Sequence, residues 1–246
     1  MKTQKLLLSL LVILLPFYVN AQETNLSRAG TTGIGIDLSS WEGMTFRNSL
    51  TTSNSRVGNK SLETFYESVT GVSPYINDTF MPAKVNNFKQ IATARYDAYK
   101  DLFVVKINES KSLYLEKRLG NRVTFIATKE MYQVFYDEEE KARFFKIEKM
   151  TPHFSLLIKQ EIVLRGGEKP RSSYDKYVAP FFKRTKDKLY LSLDNRLAVK
   201  APTSKKKFFK LFKDEAGAIK SFVKKNKLNI KEKSDILRIL NYYATL

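Results

Sequence analysis

Residues 102–127, LFVVKINESKSLYLEKRLGNRVTFIA, decide the fold class. Leu102–Ile107 is a short apolar run that stops at Asn108-Glu109-Ser110. Leu113-Tyr114-Leu115 follows and stops at Gly120-Asn121, and Val123–Ala127 comes next. Short segments rich in β-branched and aromatic residues, separated by hairpin-length polar turns, predict antiparallel strands. The pattern continues outward. Tyr132–Tyr136 and Arg143–Ile147 flank an acidic turn, Asp137–Glu140. Phe154–Leu164 reads as one long strand closed by Gly166-Gly167, and Phe181–Lys183 and Leu189–Leu193 flank Lys186-Asp187. A sheet is therefore predicted over about residues 84–199, as an antiparallel β-meander forming a curved sheet or partial barrel.

The period changes after Pro202. Ser204 is placed to cap a short helix reaching Phe212. Asp214-Glu215 opens a second helix, with Ala216, Ile219, Phe222 and Val223 on its apolar face. A third starts near Ser234, with Ile236, Leu237, Leu240 and Tyr243 on one side. Neither of the last two can bury its stripe alone, so they are predicted to pair as a hairpin on the sheet over about 204–243. Upstream, Leu62, Phe65, Tyr66 and Val69 are spaced as a helical turn, broken by Gly71 and Pro74. The domain is thus α+β over residues 61–246, with a C-terminal helical hairpin.

The start of the chain reads as an address. Lys2 and Lys5 precede an apolar run of 12 residues, Leu6–Phe17, and Val19-Asn20-Ala21 suits cleavage before Gln22. The run is shorter than the roughly 20 residues a membrane span needs, and Pro16 and Asn20 interrupt it. A signal peptide over residues 1–21 is the reading, and no later window is apolar enough to span. Residues 22–60, rich in Ser, Thr, Gly and Asn, read as a flexible leader in which Ile34, Ile36, Leu38 and Trp41 can form a short docking strand. Gly33-Ile34-Gly35 lacks the third glycine of a nucleotide loop.

Composition removes several chemistries. With no cysteine and one histidine, there is no disulfide framework, lipoprotein attachment, thiol nucleophile or Cys/His metal site. His153, after Pro152, fits a structural or surface role. Asp137–Glu140 lacks the alternating ligands and central glycine of a calcium loop, so it reads as a hairpin turn. No catalytic, cofactor-binding or metal-binding constellation stands out. A carboxylate pair, which is assembled in space rather than in sequence, is the one hydrolytic reading left open.

Charge is the strongest remaining signal. The chain has 43 Lys+Arg against 25 Asp+Glu, a net charge of +18. Residues 1–21 take two lysines and no acid with them, leaving +16, of which +9 lies in the 47 residues from Lys200 onward. Residues 205–227 alone hold nine lysines against two acids. Lys213, Lys220, Lys224 and Lys227 fall opposite Ile219 and Phe222 and form the candidate binding face. Lysine without arginine forks suits a diffuse polyanion better than bidentate phosphate recognition. Export disfavours nucleic acid and favours lipopolysaccharide, another anionic glycan or lipid, or an envelope protein. The aromatics Tyr75, Tyr96 and Tyr99, which stand beside polar residues, are a candidate surface for stacking on sugars, against the alternative of cross-strand packing.

Four stretches together resemble a family of exported Bacteroidetes proteins with no assigned activity. They are Ser73–Asp78 with Phe80, Arg95-Tyr96-Asp97-Ala98-Tyr99-Lys100-Asp101, Ser173–Lys176, and the tail (Ser204–Phe212, Phe222–Leu228 and Leu240–Tyr243). The resemblance covers about Phe65–Leu246 and implies export in a Gram-negative cell. It carries over no functional residue. A lysine-rich helical tail also differs from the β-sandwich sorting domain of chains released by the gliding-associated route. The expectation is therefore a periplasmic or outer-membrane-associated binding or interaction protein without catalytic activity.

Overall fold

A computed structural model describes residues 50–51, 59–108, 111–168 and 176–246. The signal peptide, most of the leader with its Ile34–Trp41 segment, and Tyr174 lie outside the described residues. The elements are β1 (Leu50–Thr51), α1 (Asn59–Ser68), β2 (Thr70–Gly71), β3 (Met81–Val85), β4 (Ile91–Asp97), β5 (Leu102–Asn108), β6 (Lys111–Leu115) and β7 (Arg122–Phe125). Then come β8 (Met131–Tyr136), β9 (Ala142–Met150), β10 (Ser155–Lys159), β11 (Ile162–Arg165), β12 (Phe181–Arg184), β13 (Lys188–Ser192) and β14 (Val199–Lys200). The tail holds α2 (Lys205–Lys210), a 3₁₀ turn (Lys213–Glu215), α3 (Ala216–Lys225) and α4 (Lys233–Tyr243). No helix among the described residues is long and apolar enough to cross a membrane.

The fold is α+β, dominated by an open, curved antiparallel sheet. Its strand order is β1-β6-β5-β4-β3-β7-β8-β9-β10-β13-β14. Hairpins account for most neighbours, but the meander breaks three times: β1 pairs with β6, β7 with β3 rather than β6, and β13 with β10. A second sheet, β11-β12-β2, contains a parallel pair between β12 and β2. Gly71 makes that pair possible. It has φ +99°, and a Cβ there would strike the Phe182 carbonyl oxygen.

Two sequence expectations change. Phe154–Leu164 is not one strand. It divides at Gln160-Glu161, so that β10 stays in the large sheet while β11 joins β12 in the small one. Lys159-Gln160-Glu161 interrupts the apolar run there, but the same step also fits one continuous, half-exposed strand. What holds the division is specific bonding: the Tyr132 hydroxyl donates to Gln160 Oε1 (2.7 Å), the Ile162 N–H to the Ala98 carbonyl (3.3 Å), and the Thr185 N–H to the Glu161 carbonyl (3.0 Å). For the same reason β12 and β13, which flank Lys186-Asp187, are not hairpin partners.

The far half of the large sheet rolls back on itself. The Tyr136 N–H donates to the Arg196 carbonyl (2.9 Å), and the Ala198 N–H donates to the Tyr136 carbonyl (2.7 Å). The lead-in to β14 therefore returns to the end of β8. Inside this roll Phe135, Phe145, Leu157 and Ala198 are buried, with Ile147, Met150 and Tyr190 packed on them. Strands β8 and β10, and the Phe144-Phe145 step of β9, are buried on both faces. Val134 and Phe144 point to a first core built on Tyr96, Phe103, Phe125 and Tyr132, while Phe135 and Phe145 point into the roll. Two-sided burial explains why β8 and β10 read as largely apolar runs rather than alternating ones.

The helices cover the outside of the roll. Phe154, Leu156 and Leu191 on the sheet meet Phe208, Phe212, Ile219, Val223, Ile236, Ile239 and Leu240. Ser204 occupies the residue before α2, but its side chain makes no capping bond, and Asp214-Glu215 forms the 3₁₀ turn rather than the start of α3. The connection Asn226–Lys231 ends the third core with buried Leu228 and Ile230. Each fully buried Leu, Ile or Phe contributes roughly 1.5–3 kcal/mol.

Candidate functional site

Of the four lysines predicted on one helical face, Lys220 and Lys224 lie on α3, while Lys213 and Lys227 fall outside it. All nine lysines between 205 and 227 are exposed, Lys213, Lys220, Lys224 and Lys227 among them. Among the described residues, none of the nine pairs with a carboxylate. The arrangement follows from the burial of the opposite side. Ile219 and Val223 anchor α3 in the core, which turns Lys220 and Lys224 outward one helical turn apart. Lys213 and Lys227 flank the helix in left-handed backbone, at φ +47° and +52°. Below Lys213 lies a groove of about 390 Å³ lined by Leu191, Leu197, Leu211, Phe212 and Tyr243. Asp194, Asp214 and Glu215 also line it, so the groove does not continue the positive face.

The aromatic trio divides. Tyr96 is 1% exposed and belongs to the core, so it is no part of a surface platform. Its ring stacks on Phe103 (5.0 Å between centroids). The cross-strand packing alternative holds for it. Tyr75 is half-buried under the Arg95 guanidinium, 3.6 Å from the ring centre. Tyr99 is half-buried against Phe182 (5.0 Å).

The residues that sequence reasoning missed surround Asp101. This residue ends the four-residue β4–β5 connection in left-handed backbone, at φ +57°, a conformation Asp tolerates better than most. Its buried carboxylate is heavily engaged. Lys159 Nζ donates to Oδ1 (2.5 Å), the Tyr96 hydroxyl to Oδ1 (2.7 Å), the Phe144 N–H to Oδ1 (3.3 Å), and Lys117 Nζ to Oδ2 (3.1 Å). Arg143 stands 4.0 Å from Oδ2 and donates its Nε to Asp137 Oδ2 (3.2 Å). Lys159 also donates to the Phe144 carbonyl (3.0 Å) and to the Tyr96 hydroxyl oxygen (3.3 Å). Its ammonium is therefore saturated. Burial pulls the Lys159 pKa below the usual lysine range, and Asp101 opposes that shift.

A second buried carboxylate opens the same loop. Asp97 accepts from the Tyr66 hydroxyl (2.5 Å) and from the Lys100 N–H (2.8 Å), tying α1 to the β4–β5 connection. Burial raises its pKa above the usual carboxylate range despite these bonds. Burial pushes the Tyr66, Tyr96 and Tyr132 hydroxyls up as well, so all three stay protonated.

This network is one wall of a cleft of about 590 Å³ at the mouth of the roll. The opposite walls carry Glu161, Lys188 and Tyr190, with the acidic β8–β9 turn at the rim. That turn is a hairpin as predicted: Asp137 Oδ1 accepts the N–H groups of Glu139 (3.0 Å) and Lys141 (2.9 Å). Burial works to raise the Asp137 pKa, but those N–H groups and Arg143 outweigh it and hold the carboxyl below its ordinary value. For carboxylate-pair hydrolysis, Asp101 and Asp137 do converge on one guanidinium. Asp137, however, is held ionised, and Asp97, the carboxyl with the raised pKa, does not line the cleft. His153 is exposed in the β9–β10 turn, away from these groups.

No protein-family model, curated protein or solved structure matches this chain.

Proposed function

We propose that this chain is an exported binding protein of the cell envelope that engages a polyanion through its C-terminal lysine face, without catalysis. The observation that supports this is the run of nine exposed lysines over residues 205–227, which have no carboxylate partner among the described residues. Unpaired cations raise the local positive potential and attract extended anions. Each lysine near an anionic surface contributes about 1 kcal/mol, so the group supplies useful affinity without any shaped pocket. The apolar run and cleavage pattern of residues 1–21 support export, and export makes an anionic glycan, such as lipopolysaccharide, or an anionic lipid surface a better partner than nucleic acid.

The test is binding to immobilised heparin and to lipopolysaccharide across a salt series. The double variant Lys220→Glu/Lys224→Glu is expected to bind about tenfold or more weakly, with a shallower salt dependence. Equal binding by the variant and the unaltered chain would overturn the reading.

A further inference from the structure

We propose that the cleft at the mouth of the roll is a second, separate binding site, and that it takes an uncharged, hydroxyl-rich ligand: a sugar unit of a neutral glycan. The cleft lies where β8 ends, β9 begins, β10 ends and β13 begins, with the apolar interior of the roll beneath it. Barrel mouths are common ligand sites, and about 590 Å³ falls within the roughly 300–1,000 Å³ of small-molecule pockets.

Its electrostatics select the ligand class. All charged groups in the lining are paired before any ligand arrives except exposed Lys100, whose ammonium stands 5.0 Å over the Tyr99 ring. Lys159 is paired with Asp101 (2.5 Å), Arg143 with Asp137 (3.2 Å), Lys188 with Glu161 (2.6 Å), and Glu139 with Lys141 (2.7 Å). An anion entering here meets four carboxylates, and a cation meets the lysines and the guanidinium. Except at Lys100, either must displace an internal partner, which leaves a poorly compensated charge at a cost of several kcal/mol where the pair is buried. A neutral hydroxyl escapes this penalty because it donates and accepts at once. The pairs also keep spare capacity for it. Each carboxylate has several lone-pair positions, and Arg143 has N–H groups beyond the Nε already used on Asp137.

The aromatic lining agrees. Tyr99, Phe145 and Tyr190 all border the cleft, and Tyr190 leans on Phe145 with centroids 4.9 Å apart. Among the described residues the Tyr99 and Tyr190 hydroxyls have no hydrogen-bond partner. The partly exposed rings of Tyr99 and Tyr190, beside these hydroxyls, match a pyranose, which presents a C–H face and a hydroxyl edge; Phe145, buried beneath, backs them. This contrasts with Lys159, whose donors are all engaged within the protein and which serves the site by positioning Asp101.

The experiment is calorimetric titration of the full chain with uncharged trisaccharides (maltotriose, cellotriose, xylotriose, mannotriose and triacetylchitotriose). Inositol hexakisphosphate and the zwitterion glycylglycine serve as charged controls. At least one uncharged trisaccharide is expected to bind with a Kd of about 1 mM or tighter, without loss at raised salt. The variant Tyr99→Phe/Tyr190→Phe, which keeps both rings, is expected to bind that sugar about tenfold more weakly, with its thermal unfolding unchanged. Lys220→Glu/Lys224→Glu is expected to bind it as the unaltered chain does, so failure of the polyanion reading would leave this one standing. No binding by any uncharged trisaccharide, binding of the charged controls alone, or full binding by the tyrosine variant would overturn the proposal.

Discussion

Lys159 and Lys220 are both lysines on a strongly basic chain, yet they sit in opposite electrostatic settings. Lys159 has a side chain only 12% exposed, held by a carboxylate, a hydroxyl and a carbonyl. Lys220 is exposed and, among the described residues, has no acidic partner. Removing Lys159 leaves a buried carboxylate short of a cation, whereas removing Lys220 leaves only solvent. The first is part of how the molecule holds together, and the second is free to meet something else. Net charge alone does not make that distinction.

The contrast is most exposed to failure at Lys159. Lys159→Met should lower the free energy of unfolding by about 3–5 kcal/mol, measured by urea denaturation at neutral pH. A loss under about 1 kcal/mol would put it on the same footing as the tail lysines and erase the difference. Next in size is Tyr66→Phe, which removes a hydroxyl donor from buried Asp97 and should cost about 2 kcal/mol. If the cost is near zero, the tie between α1 and the β4–β5 connection is not structural.

Asp137→Asn sharpens the comparison through pH. The folded-state pKa of Asp137 lies below the ordinary value of 3.8, so its ionised form is favoured by folding. Its stabilisation is present above that value and disappears as pH falls through the lower folded pKa. The variant should lose about 1 kcal/mol at neutral pH, and the gap to the unaltered chain should close in acid. A gap that stays constant to low pH would show that the effect is not linked to this carboxylate's charge. Smallest of all, Lys220→Glu/Lys224→Glu should change stability by no more than about 0.5 kcal/mol, while polyanion binding falls.

Much of the architecture was legible because it rests on local rules. The strands at Leu102–Ile107, Tyr132–Tyr136 and Leu189–Leu193, the acidic hairpin turn, and the faces of α3 and α4 all follow from short-range periodicity. The division of Phe154–Leu164 was missed although Lys159-Gln160-Glu161 interrupts the apolar run, because such a step also fits a half-exposed strand and does not name the sheet that receives each half. Tyr96 was misplaced for a related reason. A tyrosine between arginine and aspartate looks solvent-facing, but Asp101 and Lys159 supply polar partners inside the core. Asp97 and Asp101 bracketing one tight connection were the available clue, and a clue of that kind names neither Lys159, 58 residues away, nor Arg143.

The sequence by itself determined the α+β class, most of the turn positions, and the concentration of lysine in the tail. Hydrophobic period and local charge are properties of neighbours along the chain. Only the tertiary structure decided which strands meet, which carboxylates are buried, and that the mouth of the roll brings together four charge pairs and two tyrosine hydroxyls that are unengaged among the described residues. Those relations depend on contacts between distant segments, and their strength is set by burial and dielectric, which exist only once the chain has folded.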